Sequence, residues 1–181
     1  MSTAATAPER LSTERLVLRR PRADDAEAVF ARYANDPAVT KYIGWPRHTN
    51  VEMTREFLAF SDASWEQQAA AWYLIEIRAD GRLIGSTGLT FETSDCAMTG
   101  YVLAQDAWGQ GFATEALRAM VNLAPTLGVR RLYAICHAGH AASARVLEKG
   151  GLTREGILPG HTVFPNLSPE PADVLCYALS L

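Results

Sequence analysis

Cysteine is scarce in this 181-residue chain, with only Cys96, Cys136 and Cys176, far apart and never in a C-x-x-C pair. That spacing excludes a disulfide framework and a cysteine zinc site, and no metal is expected. Neither sign of charge dominates: 17 Lys and Arg stand against 20 Asp and Glu, for a net charge of -3. A chain so balanced lacks the basic footprint of a nucleic-acid binder. No apolar run approaches the roughly 20 residues that a bilayer demands. The start, "MSTAATAPERL", has no apolar core of a secretory leader. The expectation is therefore a cytoplasmic protein that contacts neither membrane nor nucleic acid. Repeats, low-complexity tracts and linkers are also missing.

What is present suits one α/β domain, with 48% apolar and 20% charged residues. Residues 1–12 are expected to be a flexible N-terminus and 13–181 the domain. "RLVLRR" (15–20) alternates like a strand and is closed by Pro21. "ADDAEAVFARYAND" spaces Ala26, Val29, Phe30 and Tyr33 as a helix does, with Asp24 or Asp25 available as N-cap. Thr49-x-x-Glu52 predicts a capping box opening a second helix after the loop "KYIGWPRH". Three β-rich runs between residues 70 and 104 are separated by Asp80-Gly81 and Thr93-Ser94-Asp95, the turn chemistry of an antiparallel meander.

Ala113, Ala116, Leu117, Met120, Val121 and Ala124 trace the face of a helix that Pro125 ends or kinks, with Gly128 beyond. "RRLYAIC" (130–136) follows as a strand, and a strand-helix-strand crossover of this length makes it parallel to "GYVLA". A short helix, "AASARVLEKGG", stops at Gly150-Gly151, and the tail from His161 reads as two strands around a Pro-rich loop. The sheet is therefore mixed and mostly antiparallel.

"AWGQGFATEA" (107–116) places Gly109, Gly111 and Ala113 at alternate positions before the amphipathic helix. Such a loop either makes a tight strand-to-helix turn or lets a phosphate reach the first-turn N–H groups. A dinucleotide fingerprint needs Gly or Ala at 114, where Thr114 stands, which removes a nucleotide-dependent oxidoreductase. The lysine of a P-loop is also missing.

The same stretch resembles the acyl-CoA loop of the GNAT superfamily, (Gln or Arg)-x-x-Gly-x-(Gly or Ala), with Gly111 and Ala113 in the last two positions. Trp108 in its first position looks like the RimJ/RimL branch, as do "GWPRHTNVEMTREFL" (44–58), "GYVLAQDAWGQG" and "HAASARVLEKGGL" (140–152). The resemblance spans nearly the whole chain. It implies the GNAT fold, with two central parallel strands splayed apart, and an N-acetyltransferase taking acetyl-CoA as acyl donor.

Carried over by position, it implies that the CoA pyrophosphate lies on the amides of Trp108, Gly109, Gln110, Gly111, Phe112, Ala113 and Thr114. Val102, Leu103 and Ala104 would pair with pantetheine through main-chain groups, and His140 would stand near the cofactor. The sequence departs from the branch at Met98, where Glu is common, at His140, where Asn is usual, and at Leu152, where an aromatic is usual.

Direct attack of an amine on a thioester in a ternary complex needs a neutral amine, oxyanion support and a proton for the departing thiolate. Ser143 matches the family serine near the thioester sulfur. Its alternative is to satisfy N–H groups at its helix start. His137 or His140 is the expected base, and Trp45 and His48 the expected substrate contacts. Cys136 as an acyl carrier competes with a buried structural thiol. Glu115 reads as a solvated or helix-capping group.

Neutralising a lysine amine at pH 7 costs about 4.6 kcal/mol, but an α-amine only about 1 kcal/mol. With no Glu at 98, the expected acceptor is an N-terminal α-amine or a small amine of low pKa. A catalytically poor acyl-CoA sensor and an enzyme using another acyl-CoA, such as succinyl-CoA, are the alternatives. A homodimer stays open.

Overall fold

The order of strands in the sheet is set by the meander and then broken by one crossover. The computed structural model describes residues 6–181. Eight strands form one sheet in the order β1-β2-β3-β4-β5-β6-β8-β7: β1 Arg10–Ser12, β2 Leu16–Arg19, β3 Ala70–Ile77, β4 Leu83–Phe91, β5 Cys96–Leu103, β6 Arg131–His137, β7 Thr153–Val163 and β8 Pro171–Ser180. Every neighbouring pair is antiparallel except β5 and β6, which are parallel across the helical crossover.

The turns act as their residues predict. Asp80 accepts the Arg82 N–H at 3.0 Å, and Thr93 accepts the Cys96 N–H at 3.0 Å while donating to Asp95 at 2.8 Å. Arg10–Ser12, assigned by the sequence to a loose terminus, instead pair with Val17–Arg19, which cover the sheet's edge. Residues 1–5 of that predicted terminus lie outside the described residues.

Helix α1 (Ala26–Val29) continues into wider turns, Phe30–Ala34, where the Asn35 N–H reaches back to Phe30 O at 3.2 Å. Asp25 does not cap it by its side chain; it takes the Arg22 N–H and the fork of Arg19, because that half-buried guanidinium requires a carboxylate. Helix α2 (Pro37–Thr40) is capped by Asp36. Helix α3 (Val51–Glu66) is capped by Asn50, whose Oδ1 accepts the Met53 N–H at 3.1 Å. The predicted Thr49 box does not form, since Glu52 turns to Arg55 instead.

Helix α4 (Phe112–Leu123) lays Phe112, Ala116, Leu117, Met120 and Leu123 on the sheet, as its spacing predicts. Full burial of Leu117 and Met120 contributes about 2 kcal/mol each. Pro125 confines the next residues to one tight turn ending at Gly128. Helix α5 (Ala141–Lys149) covers β6, β7 and β8 with Leu147. A Cβ on Gly150 would stand 2.2 Å from Leu117 Cδ2, so the two helices meet there.

Candidate active site

The site begins where the parallel pairing stops. β5 and β6 align only at Cys96, Ala97 and Met98 opposite Arg131, Leu132 and Tyr133; beyond that point no further pairs join them. β5 runs on to Leu103 and β6 to His137, so a gap opens between them.

Strand alternation decides which groups face it. The Ala104 N–H donates to Ile84 O at 2.8 Å, and Val102 O stands 2.0 Å from where a Cβ on Gly85 would be, so both residues turn their main chain toward β4. Tyr101 and Leu103, one residue out of phase, turn theirs into the gap. This corrects the expectation that Val102 and Ala104 offer main-chain partners there. Their side chains are instead buried among Val29, Tyr33 and Leu74. The Leu103 carbonyl already accepts the Trp108 indole N–H at 2.8 Å, leaving half of the Trp108 surface exposed.

The glycine loop follows directly. Gly109 and Gly111 have φ of 72° and 81°, a left-handed backbone that strains any residue with a Cβ. Nothing stands within 4 Å of a Cβ on Gly109, so the space beside the loop is open rather than filled by protein. The first intrahelical bond of α4 is Glu115 N–H to Gly111 O, so the N–H groups of Phe112, Ala113 and Thr114 have no acceptor within the helix. The handedness makes the turn, and the turn presents the donors. Gln110 braces it through its side-chain amide to Asp106 O at 2.7 Å.

Arg15 is a loop residue that the sequence gives no means to find. Its Nη1 donates to Gln110 O at 2.9 Å, its Nε pairs with Glu115 at 2.7 Å, and its guanidinium lies 4.6 Å from the Phe112 ring centroid. Glu115 is thus neither solvated nor a simple cap. Burial opposes its charge, yet hydrogen bonds from Thr13 and Arg15 hold its carboxyl below the usual range. Helix α4 marks Glu115 by its position, but the partner is 100 residues away.

Across the gap, Ser143 lies in the first turn of α5, and its Oγ is 3.1 Å from the Tyr101 hydroxyl. The helix has no side-chain cap, so the alternative capping role of Ser143 is not taken up. Burial pushes the Tyr101 phenol up to about 12, although its bond to Ser143 pulls the other way. Burial raises the pKa of the buried Cys136 thiol, an inert environment rather than that of an acyl carrier.

The histidines divide. His137 Nδ1 accepts the Gly139 N–H at 2.9 Å, so the neutral tautomer that fits this bond carries its proton on Nε2. In that tautomer the free ring nitrogen is a hydrogen-bond donor rather than the base expected from the sequence. His140 stacks on Tyr42 at 4.6 Å, and burial, His137 and Lys41 together lower its pKa, which keeps it neutral. Tyr42 also meets His137 at 4.9 Å, and Phe164 closes the cluster edge-on at 5.1 Å.

The α2–α3 loop forms the facing wall. His48, an expected substrate contact, is only 6% exposed; its Nδ1 is 2.8 Å from the buried Thr54 hydroxyl, and burial lowers its pKa. It is a core group, placed there because Thr54 on α3 offers the partner that a buried imidazole requires. Trp45 is half-buried at 5.0 Å from His48. Asn166, unmarked in the sequence, clasps the wall: its Oδ1 accepts the Arg47 N–H at 2.7 Å, and its Nδ2 donates to Thr40 O and Trp45 O at 2.8 and 2.9 Å.

The arrangement agrees with what known proteins resemble. A family model described as an acetyltransferase (GNAT) domain matches residues 15–153. The chain is 31% identical over 167 residues to the uncharacterized N-acetyltransferase YoaA of Bacillus subtilis (strain 168), covering 91% of this chain and 93% of that one. It is 32% identical over 154 residues to the uncharacterized N-acetyltransferase p20 of Bacillus licheniformis, covering 83% and 85%. Among solved structures, RimL, a ribosomal L7/L12 α-N-protein acetyltransferase in complex with coenzyme A, superposes with a TM-score of 0.85 at 23% identity, over 96% of this chain and 98% of that one.

Proposed function

This chain belongs to the GNAT acetyltransferase family, and from that premise we propose that it moves an acetyl group from acetyl-CoA to an N-terminal α-amine or a small amine of low pKa. The observation that carries the reading is the gap: an unpaired edge of β5 lies between a glycine loop with unbonded helix N–H groups and a hydroxyl pair, Ser143 and Tyr101.

In this reading the pyrophosphate takes the amides of Gly109 to Thr114, where the α4 dipole adds attraction. Pantetheine lies along the free edge of β5 and meets the Tyr101 main chain. The thioester then reaches Ser143. The neutral amine attacks the carbonyl carbon, the C–S bond breaks with its electron pair on sulfur, and the Ser143 hydroxyl hydrogen-bonds the departing thiolate. The His137 Nε2–H is a donor for the developing oxyanion. His140, kept neutral, or water takes the proton that the amine sheds.

Met98, where the resembling branch commonly has Glu, favours an acceptor that needs little help, which is an α-amine. RimL, of the same fold, is described as acting on the α-amine of a ribosomal protein, which supports that choice. Met98 equally favours a second reading, an acyl-CoA sensor that binds and turns over poorly.

The test is CoA thiol release from acetyl-CoA with free-N-terminus peptides, lysine peptides with blocked N-termini and small amines. Selective turnover of free N-termini is expected. Faster acetylation of lysine side chains would overturn the acceptor assignment, and tight acetyl-CoA binding without release would favour the sensor.

A further inference from the structure

We propose that Tyr101 is a positioning residue for the reaction, aiming the Ser143 hydroxyl at the thioester sulfur from the opposite side of the gap. The inference rests on the reading of Ser143 as the hydroxyl that meets that sulfur.

A serine hydroxyl has one proton, and its rotation is free unless a neighbour donates into its lone pairs. The Ser143 hydroxyl has one hydrogen-bond partner among the described residues, the Tyr101 hydroxyl at 3.1 Å. Tyr101 sits three residues beyond the last β5–β6 pair, Met98 with Tyr133, on the strand edge that opens into the gap. Burial keeps its phenol protonated throughout the working pH range. With the phenol as donor to Ser143 Oγ, as the proposal has it, the serine proton is free to point elsewhere. With the thioester bound, the sulfur of the leaving group is what that proton meets.

The phenol does not itself give up a proton: it holds the acceptor side of the serine, and the serine holds the thiolate as the C–S bond breaks. Tyr101 and Ser143 thus form one unit built from two elements that the splay separates and the side chains rejoin. Other hydroxyls at the gap make no such pair among the described residues. The arrangement also accounts for a serine whose hydroxyl caps nothing although it sits in the first turn of a helix.

The test is a double-mutant cycle on the full chain with Tyr101→Phe, Ser143→Ala and both, read by thiol release, by the acetyl-CoA Kd and by Tm. Tyr101→Phe is expected to lower kcat about tenfold, with Kd, the KM for acetyl-CoA and Tm unchanged. The double variant is expected to be no slower than Ser143→Ala, because the tyrosine acts only through the serine. Multiplying losses, or Tyr101→Phe at full rate, would overturn the proposal. A loss confined to Kd or Tm would overturn it as well, by making Tyr101 a structural group. If Ser143→Ala alone turned over undiminished, the role of Ser143 would fall and the positioning role with it, while acetyl transfer itself would stand.

Discussion

Arg15 shows how much one side chain can organise without belonging to the loop it serves. Its guanidinium takes a carbonyl of the loop, a carboxylate of α4 and the face of Phe112, and its Nη2 stands 3.3 Å from where a Cβ on Gly111 would be. A fixed cation beside the proposed pyrophosphate site should stabilise the bound state. Replacing Arg15 by Met is expected to weaken acetyl-CoA binding about tenfold, from the loss of a charge-assisted bond to the loop and of the nearby cation. It should cost stability at most about 1 kcal/mol, since the pair is half exposed. Calorimetric titration beside a melting curve separates the two; an unchanged Kd would mean that the glycine backbone keeps its own shape. His137 makes the complementary point. Residue type alone suggests a base, but the Gly139 N–H on its Nδ1 fixes the opposite polarity. The identity of a titratable residue is legible in sequence; the lone pair it has left is not.

Elements with a strong period and local turn chemistry were the readable ones. Helix α4 follows from Ala116, Leu117 and Met120, and the meander from Asp80-Gly81 and Thr93, because in both the deciding contacts lie within a few residues. The cap of α3 moved by one residue because Asn50 and Thr49 compete for the same N–H groups and sequence weighs them almost equally. Strand β1 escaped notice because three residues carry no alternation to read. The clasp by Asn166 was hidden for another reason: its three bonds join loops about 120 residues apart. Each such bond contributes about 1 kcal/mol net, so removing all three should loosen the α2–α3 loop against the β7–β8 connection. Asn166→Ala is expected to raise the KM for the amine acceptor severalfold and leave the acetyl-CoA Kd alone. A change in Kd with an unaltered acceptor KM would show that this loop serves the donor side instead.

Over the whole molecule, the buried histidines tie stability to pH. Burial depresses the pKa of His48, and burial with His137 and Lys41 depresses that of His140, whereas in the unfolded chain each titrates near about 6.5. Between the folded and unfolded pKa values the unfolded chain binds more protons, so the fold loses stability as pH falls through that window. The urea midpoint is expected to be lower at pH 5.5 than at pH 7.5. His48→Asn, which retains an acceptor near Thr54 without a titrating ring, should narrow the difference; an unchanged difference would remove His48 as its source. The lowered carboxyls of Asp25, Asp36 and Asp106 add their own loss only further into acid.

The parting of β5 from β6 has one more consequence. Sheets ordinarily fray from their margins, where strands lack a neighbour on one side. Here a seam, a ladder just three pairs long from Cys96 to Met98, runs down the middle, between a five-stranded plate and a three-stranded one. Whatever lies along that seam works as mortar. A long thin substrate would then bridge the two plates on the open side of the seam, while helix α4 already ties them together through the core.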